Sequence, residues 1–252
     1  MRDLIIFSGQ SNMQGQSEEL LPLEVPCALE YRWLSDRLLP LRDPVGEDIR
    51  YDHTPGKPFD GKEQQQWLQD HVTGSACYGH TSLVPAFCHA YTAETGREAV
   101  AVHIAKGSTC IAEWLPGTPG FELLIKKASA AKKAADAEHI YFVWLQGESD
   151  AIAGNSQEYY QEKLLLLENT LRKELLIEAF GIIRIGRFTG DSRDDAIIAA
   201  QRAICRRPEF LMLTELAEKA PMNPYVKGHF SAAGLQQLGF DAGKTLAKKE
   251  GR

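Results

Sequence analysis

The chain has 252 residues, a net charge of −6 and 44% apolar residues. That length suits one large α/β domain and is ample to bury a sizeable core. The charge is spread along the chain, which has neither the basic stripe of a nucleic-acid binder nor an apolar run of membrane-spanning length.

Residues 4–7 (Leu4, Ile5, Ile6, Phe7) form a short unbroken apolar run, the pattern of a strand buried on both faces. The run stops at Ser8-Gly9, and the polar cluster Gln10-Ser11-Asn12 behind it is turn material. A short second strand is expected at residues 28–33. Residues 41–80 are the least regular stretch, with Pro44, Pro55, Pro58 and the aromatics Tyr51, Phe59, Trp67 and Tyr78. A loop that long inside one domain is either functional or carries structure of its own. It reads as an insertion over one rim of the sheet, its aromatics either stacking on a sugar or pinning the loop.

Spacing predicts a helix over 82–94 ended by Gly96, then a buried strand over 99–104 that breaks at Lys106-Gly107-Ser108-Thr109. A helix rich in Ala and Lys follows over 121–138, with Lys126, Lys127, Lys132 and Lys133 as its solvated face. A third buried strand covers 140–145 and breaks at Gln146-Gly147-Glu148-Ser149-Asp150. A long helix over 156–178 takes Ser156 as its cap, and a fourth strand spans 182–185. A helix over 194–206, a short edge strand over 210–213, a Pro/Gly loop leading to His229 and a helix over 231–249 complete the chain. Strands alternating with helices of this length mean βαβ units and a mainly parallel sheet in a single domain.

Right-handed crossovers put the turns after parallel strands on one edge of the sheet, where open α/β sheets bind ligands. Ser11, Gly107, Gln146 and Glu148 therefore converge there, and the loop before the last helix can bring His229 to the same place. Acyl transfer needs a nucleophile, a base, a group orienting that base and donors aimed at the oxyanion. Ser11 offers the hydroxyl. Of the seven histidines, His229 alone sits in a Pro/Gly loop directly before a helix. Glu148 and Asp150 are the candidate orienting acids. The backbone N–H groups of Ser11 and Gly107 and the amide of Gln146 are the candidate oxyanion donors. Gln10, Asn12, Asp150 and Trp114 are candidates for substrate-binding or supporting roles.

The five cysteines, Cys27, Cys77, Cys88, Cys110 and Cys205, show no CxxC pair or mixed Cys/His spacing. No zinc site is implied, and free buried thiols are expected. With no charged-then-apolar leader ahead of residue 3, a cytoplasmic location is expected.

Four blocks occur in order: Gly9-Gln10-Ser11-Asn12-Met13-x-Gly15, Lys106-Gly107-Ser108-Thr109-x-Ile111-x-x-Trp114, Trp144-Leu145-Gln146-Gly147-Glu148-Ser149-Asp150, and Gly228-His229-Phe230. Together they resemble the SGNH-hydrolase superfamily, in the branch holding sialate O-acetylesterases and family 6 acetylxylan esterases. The resemblance implies a three-layer α/β/α, flavodoxin-like fold and cofactor-free, metal-free serine ester hydrolysis of an acetylated carbohydrate. It places the nucleophile on Ser11, the base on His229 and the oxyanion hole on Ser11, Gly107 and Gln146. Many superfamily members draw the acid from an aspartate three residues before the histidine. That position is Val226 here, so this part of the pattern does not transfer. Other members of the acetylxylan branch use the glutamate that falls on Glu148, and a Ser-His dyad helped by a backbone carbonyl is the fallback. The competing readings are a catalytically weak carbohydrate-binding member of the same fold and a lipase- or thioesterase-like relative.

Overall fold

The computed structural model describes residues 2–33, 35–46 and 81–250. Most of the irregular insertion at 41–80 lies outside them, with its four aromatics and Cys77, so neither reading of those aromatics is decided.

Among the described residues seven strands form one sheet: β1 (Arg2–Gly9), β2 (Ala28–Arg32), β3 (Arg37–Pro40), β4 (Glu98–Ala105), β5 (His139–Leu145), β6 (Ala179–Ile183) and β7 (Phe210–Thr214). Their spatial order is β3-β2-β4-β1-β5-β6-β7, and every neighbouring pair is parallel except β2 with β3. The helices are α1 (Ser11–Gln14), α2 (Val84–Thr95), α3 (Pro119–Ala135), α4 (Glu148–Ala153), α5 (Gln157–Leu175), α6 (Ser192–Ile204) and α7 (Ala232–Glu250).

The central strand β1 carries a continuous apolar run at Leu4–Phe7, as expected where helices cover both faces of the sheet. Leu4, Ile5, Ile6 and Phe7 are all fully buried, and each contributes about 1.5–3 kcal/mol relative to exposure. Alternate side chains of a strand point to opposite faces, and β5 shows both layers. Tyr141 meets Tyr91 of α2, whereas Trp144 donates its indole N–H to Tyr160 of α5. Helix α2 packs on α7, and α3 packs on α5. The fold is therefore a three-layer α/β/α sandwich.

Local sequence explains the element ends. Ser156 accepts a hydrogen bond from the Tyr159 N–H and caps α5, and Gly96 closes α2 in the left-handed region. The fourth strand falls at Ala179–Ile183 rather than 182–185, because its partners on β5 are Tyr141 to Trp144. Lys127 is buried rather than solvated, and its ammonium lies 5.4 Å from the centre of the Trp33 ring. Among the described cysteines all four are free, but only Cys88 is buried and Cys27 is exposed.

Gly9 ends β1 with φ of +149°, and a Cβ there would lie 2.0 Å from the Leu145 carbonyl oxygen. Gly9→Ala is expected to cost about 3 kcal/mol or more, lowering Tm by about 6–12 °C. Thermal unfolding checks this, and a Tm unchanged by the substitution would contradict it.

Candidate active site

Three strand ends are spliced at the carboxyl edge of the sheet. The Lys106 N–H donates to the Gly9 carbonyl at 2.9 Å, and the Gln10 N–H donates to the Leu145 carbonyl at 3.1 Å. The chain then turns directly into α1, a single helical turn that begins at the buried Ser11 and is closed by Gly15. Gly107 lies against it, since a Cβ on Gly107 would stand 3.4 Å from the Ser11 Cβ. Lacking that atom, Gly107 lets a carbonyl group approach its main-chain N–H beside the serine.

Asn12 joins this end of the molecule to the last loop. Its side-chain nitrogen donates to Glu148 Oε1 at 2.7 Å and to the Gly228 carbonyl at 3.3 Å, and its oxygen accepts the Phe230 N–H at 3.1 Å. The residues on both sides of His229 are thus bonded to the residue that follows Ser11. Asn223 shapes the same loop, with its Oδ1 accepting the N–H groups of Tyr225 and Val226 and its own N–H donating to the His229 carbonyl. The structure therefore brings Ser11, Gly107, Glu148 and the His229 loop together.

Around His229 the geometry differs from the expectation for a carboxylate-oriented base. Nδ1 of His229 faces the Lys227 carbonyl at 3.3 Å, not Glu148. Nε2 is buried without a hydrogen-bond partner among the described residues. Burial, opposed by the Lys227 carbonyl, holds the imidazole below the ordinary histidine range. The ring packs edge-on against Phe188, with centroids 5.9 Å apart. Glu148 is fully buried, its Oε2 without a hydrogen-bond partner among the described residues, beside a small void shared with Asn12, Phe188 and Gly228. Burial raises its carboxyl above the ordinary range, and the Asn12 hydrogen bond pulls the other way.

Gln146 and Asp150 are buried and engaged elsewhere. The Gln146 amide nitrogen faces Asp150 Oδ2 at 2.6 Å, the Thr109 carbonyl at 2.8 Å and Gln10 Oε1 at 3.2 Å. Its two hydrogens are therefore taken, and the expected oxyanion donation from this side chain is not set up here. The Gln146 oxygen accepts from the Tyr160 hydroxyl at 2.9 Å. Asp150 accepts from the Ile111 N–H and from Asn155 as well, which ties the turn after β4 to α4 and removes it as a partner for His229. Gln10 Oε1 also accepts from the Ser149 N–H at 3.2 Å and so braces the turn after β5. Trp114 donates to Thr109 Oγ1 at 3.0 Å and, with Lys106, Thr109 and Leu123, lines a cavity of about 400 Å³. No cluster of three His, Cys, Asp or Glu side chains suited to a metal ion occurs among the described residues.

Sequence reasoning missed Asn223 and Tyr160, and its fallback of a backbone carbonyl beside His229 did not say which; the one facing Nδ1 is that of Lys227. The Asn223-Pro224 dipeptide was the one available signal, since asparagine before proline favours turn initiation.

The family model for carbohydrate esterase, sialic acid-specific acetylesterase matches residues 1–248. The chain belongs to that family. It is a carboxylic ester hydrolase of the carbohydrate acetylesterase class. Among relatives, a probable carbohydrate esterase of Arabidopsis thaliana is 26% identical over 208 residues, which span 79% of this chain and 74% of that one. The solved structure of the Arabidopsis protein superposes with a TM-score of 0.67 at 21% identity, covering 98% of this chain and 96% of the other. NanS gives a TM-score of 0.66 at 12% identity, covering 100% and 98%. A carbohydrate acetylesterase from Xanthomonas citri gives 0.56 at 14% identity, over 97% of this chain and 54% of that one. These likenesses show the SGNH-type hydrolase fold in a member of the acetylesterase family.

Proposed function

We propose that the chain removes O-linked acetyl groups from carbohydrates through an acetyl-serine intermediate on Ser11. The observation that supports this reading best is the Asn12 side chain, which bonds both neighbours of His229 and so holds that loop against the residue after Ser11. In the first step Ser11 Oγ attacks the acetyl carbonyl while His229 Nε2 takes the hydroxyl proton. The oxyanion is received by the backbone N–H groups of Ser11 and Gly107. The ester's C–O bond then breaks, and the sugar oxygen leaves with the proton from His229. Water attacks the acetyl-enzyme by the same route and releases acetate. The Lys227 carbonyl fixes the ring by accepting from Nδ1–H. Glu148 acts on the base through Asn12 as a positioning residue, not as a direct partner.

The substrate class is tested by measuring acetate release from a panel that includes O-acetylated sialic acid, acetylated xylan and long-chain acyl esters. Acetate from the sugar esters, with little turnover of the long acyl chains, is expected. Preference for the long chains would overturn the carbohydrate assignment.

The pH profile tests the base. An imidazole whose folded-state pKa is lowered stays neutral, and so able to accept a proton, below the usual range. The acid limb of kcat/KM is therefore expected below pH 6.5. A direct carboxylate partner would raise the pKa instead, and a limb above that value would restore Glu148 as the orienting acid. The same shift enters stability: the unfolded chain takes up the proton first, so this contribution is present above the unfolded histidine pKa and is lost as pH falls.

A further inference from the structure

One of the two donors that the esterase reading assigns to the oxyanion is already occupied by this chain's own side chain. The Gly107 N–H donates to Gln14 Oε1 at 2.6 Å. A backbone N–H can only donate, so the Gln14 atom facing it is the carboxamide oxygen. The Gln16 amide nitrogen converges on that same oxygen at 3.3 Å. A Cβ on Gly107 would lie 2.9 Å from Gln14 Oε1, 3.2 Å from Gln16 Nε2 and 3.4 Å from the Ser11 Cβ. Two glutamines and the serine therefore crowd one face of Gly107, and a neutral carbonyl oxygen stands where an acetyl carbonyl would place its own.

We propose that Gln14 is a built-in competitor for the oxyanion donor, which the acetyl carbonyl of the substrate must displace. The inference rests on the esterase reading above and adds a residue that none of its steps uses. Gln14 sits on the last position of α1, three residues after Ser11, and its side chain reaches across to the turn after β4. An incoming ester exchanges one neutral hydrogen bond to Gly107 for another, so its ground-state binding gains little from that donor. Full use of the donor comes only as the ester oxygen becomes anionic, since a charged acceptor makes the stronger bond. Displacing Gln14 costs the bound ester and the transition state alike, so binding of carbonyl compounds is weakened while kcat from the bound ester is largely kept.

The test compares Gln14→Met, which keeps bulk and loses the strong acceptor, with Gln14→Glu, which keeps the shape and adds charge. Hydrolysis of p-nitrophenyl acetate by both variants, wild type and Ser11→Ala is measured over a range of substrate concentration. Gln14→Met is expected to raise kcat/KM about 2- to 10-fold, the range of one neutral hydrogen bond, chiefly through a lower KM. Gln14→Glu is expected to lower kcat/KM, because a carboxylate holds the donor more tightly and repels the developing oxyanion. The Gly107 amide proton resonance gives a readout independent of turnover, and it is expected to move upfield in Gln14→Met as the short hydrogen bond is lost. Ser11-dependent hydrolysis that Gln14→Met leaves unchanged or lowers would overturn this inference alone, as would an unmoved Gly107 resonance. Hydrolysis absent from wild type and Gln14→Met alike, or unaffected by Ser11→Ala, would remove the esterase reading and this inference with it.

Discussion

Alanine in place of Ser11 is expected to lower kcat for p-nitrophenyl acetate by roughly four to six orders of magnitude. In the proposed mechanism the hydroxyl forms the acyl bond, and nothing else in the cluster is placed to replace it. Asp150 and Gln146 are held in their own hydrogen bonds, and Glu148 is buried against Asn12. His229→Ala is expected to cost a similar factor, because without a base the serine attacks only as a neutral alcohol. The double variant is expected to be no worse than either single one, since nucleophile and base act as a unit. Steady-state rates with a melting temperature on each variant are sufficient. Ser11→Ala retaining more than about a hundredth of the wild-type rate would show that the nucleophile lies elsewhere, well outside the losses seen for such residues.

Asn12→Ala is the second large effect. It removes the donor to Glu148 and Gly228 and the acceptor of the Phe230 N–H in one step. Glu148, whose Oε2 already has no hydrogen-bond partner among the described residues, would then also lose the partner of Oε1. Leaving a buried carboxyl in that state costs about 2–4 kcal/mol, which for a chain of this size is a Tm fall of about 4–16 °C. Loosening the loop that carries the base is expected to lower kcat by about 10²–10³ while KM changes less, because misplacement by about 1 Å is enough for that loss. Asn12→Asp is expected to be worse than Asn12→Ala at neutral pH, since it sets a second carboxylate against Glu148. Adding Glu148→Gln to Asn12→Asp restores one donor–acceptor pair in reverse and is expected to recover part of the stability. A kcat for Asn12→Ala within about 3-fold of wild type, at a loss far below that expected for a misplaced base, would show that His229 is positioned without the clamp.

The parallel core of this fold is readable in the sequence because burial on both faces leaves no freedom in residue type. Leu4–Phe7, residues 99–102 and residues 140–145 are apolar without alternation for that reason. Helix ends marked by Ser156 and Gly96 are local events and equally legible. β3 was missed because it is a four-residue edge strand, largely exposed, with no alternation to mark it. α4 is hard to see in the sequence because it is six residues long and follows the strand break directly, after Gly147 with its φ of +144°. The site divides in the same way. Sheet topology was enough to bring Ser11, Gly107, Glu148 and the His229 loop to one edge. The hydrogen bonds of individual side chains were not readable, because the partners of Gln146 lie on Gln10, Thr109 and Tyr160, which no spacing rule connects. That Glu148 reaches Asn12 rather than His229 is a fact of the same kind.

The clamp between Asn12 and the stretch around His229 spans 216 and 218 positions of chain. On a ribosome adding about 5–20 residues per second, Asn12 is made roughly 10–40 s before the loop it clamps. Contacts so distant along the chain pay their loop-closure entropy late, so they form after local helices and neighbouring strands. Hydrolysis should therefore return last when the denatured protein is allowed to recover, behind the far-ultraviolet signal of its helices. In this molecule the catalytic rate doubles as a clock for the completion of folding.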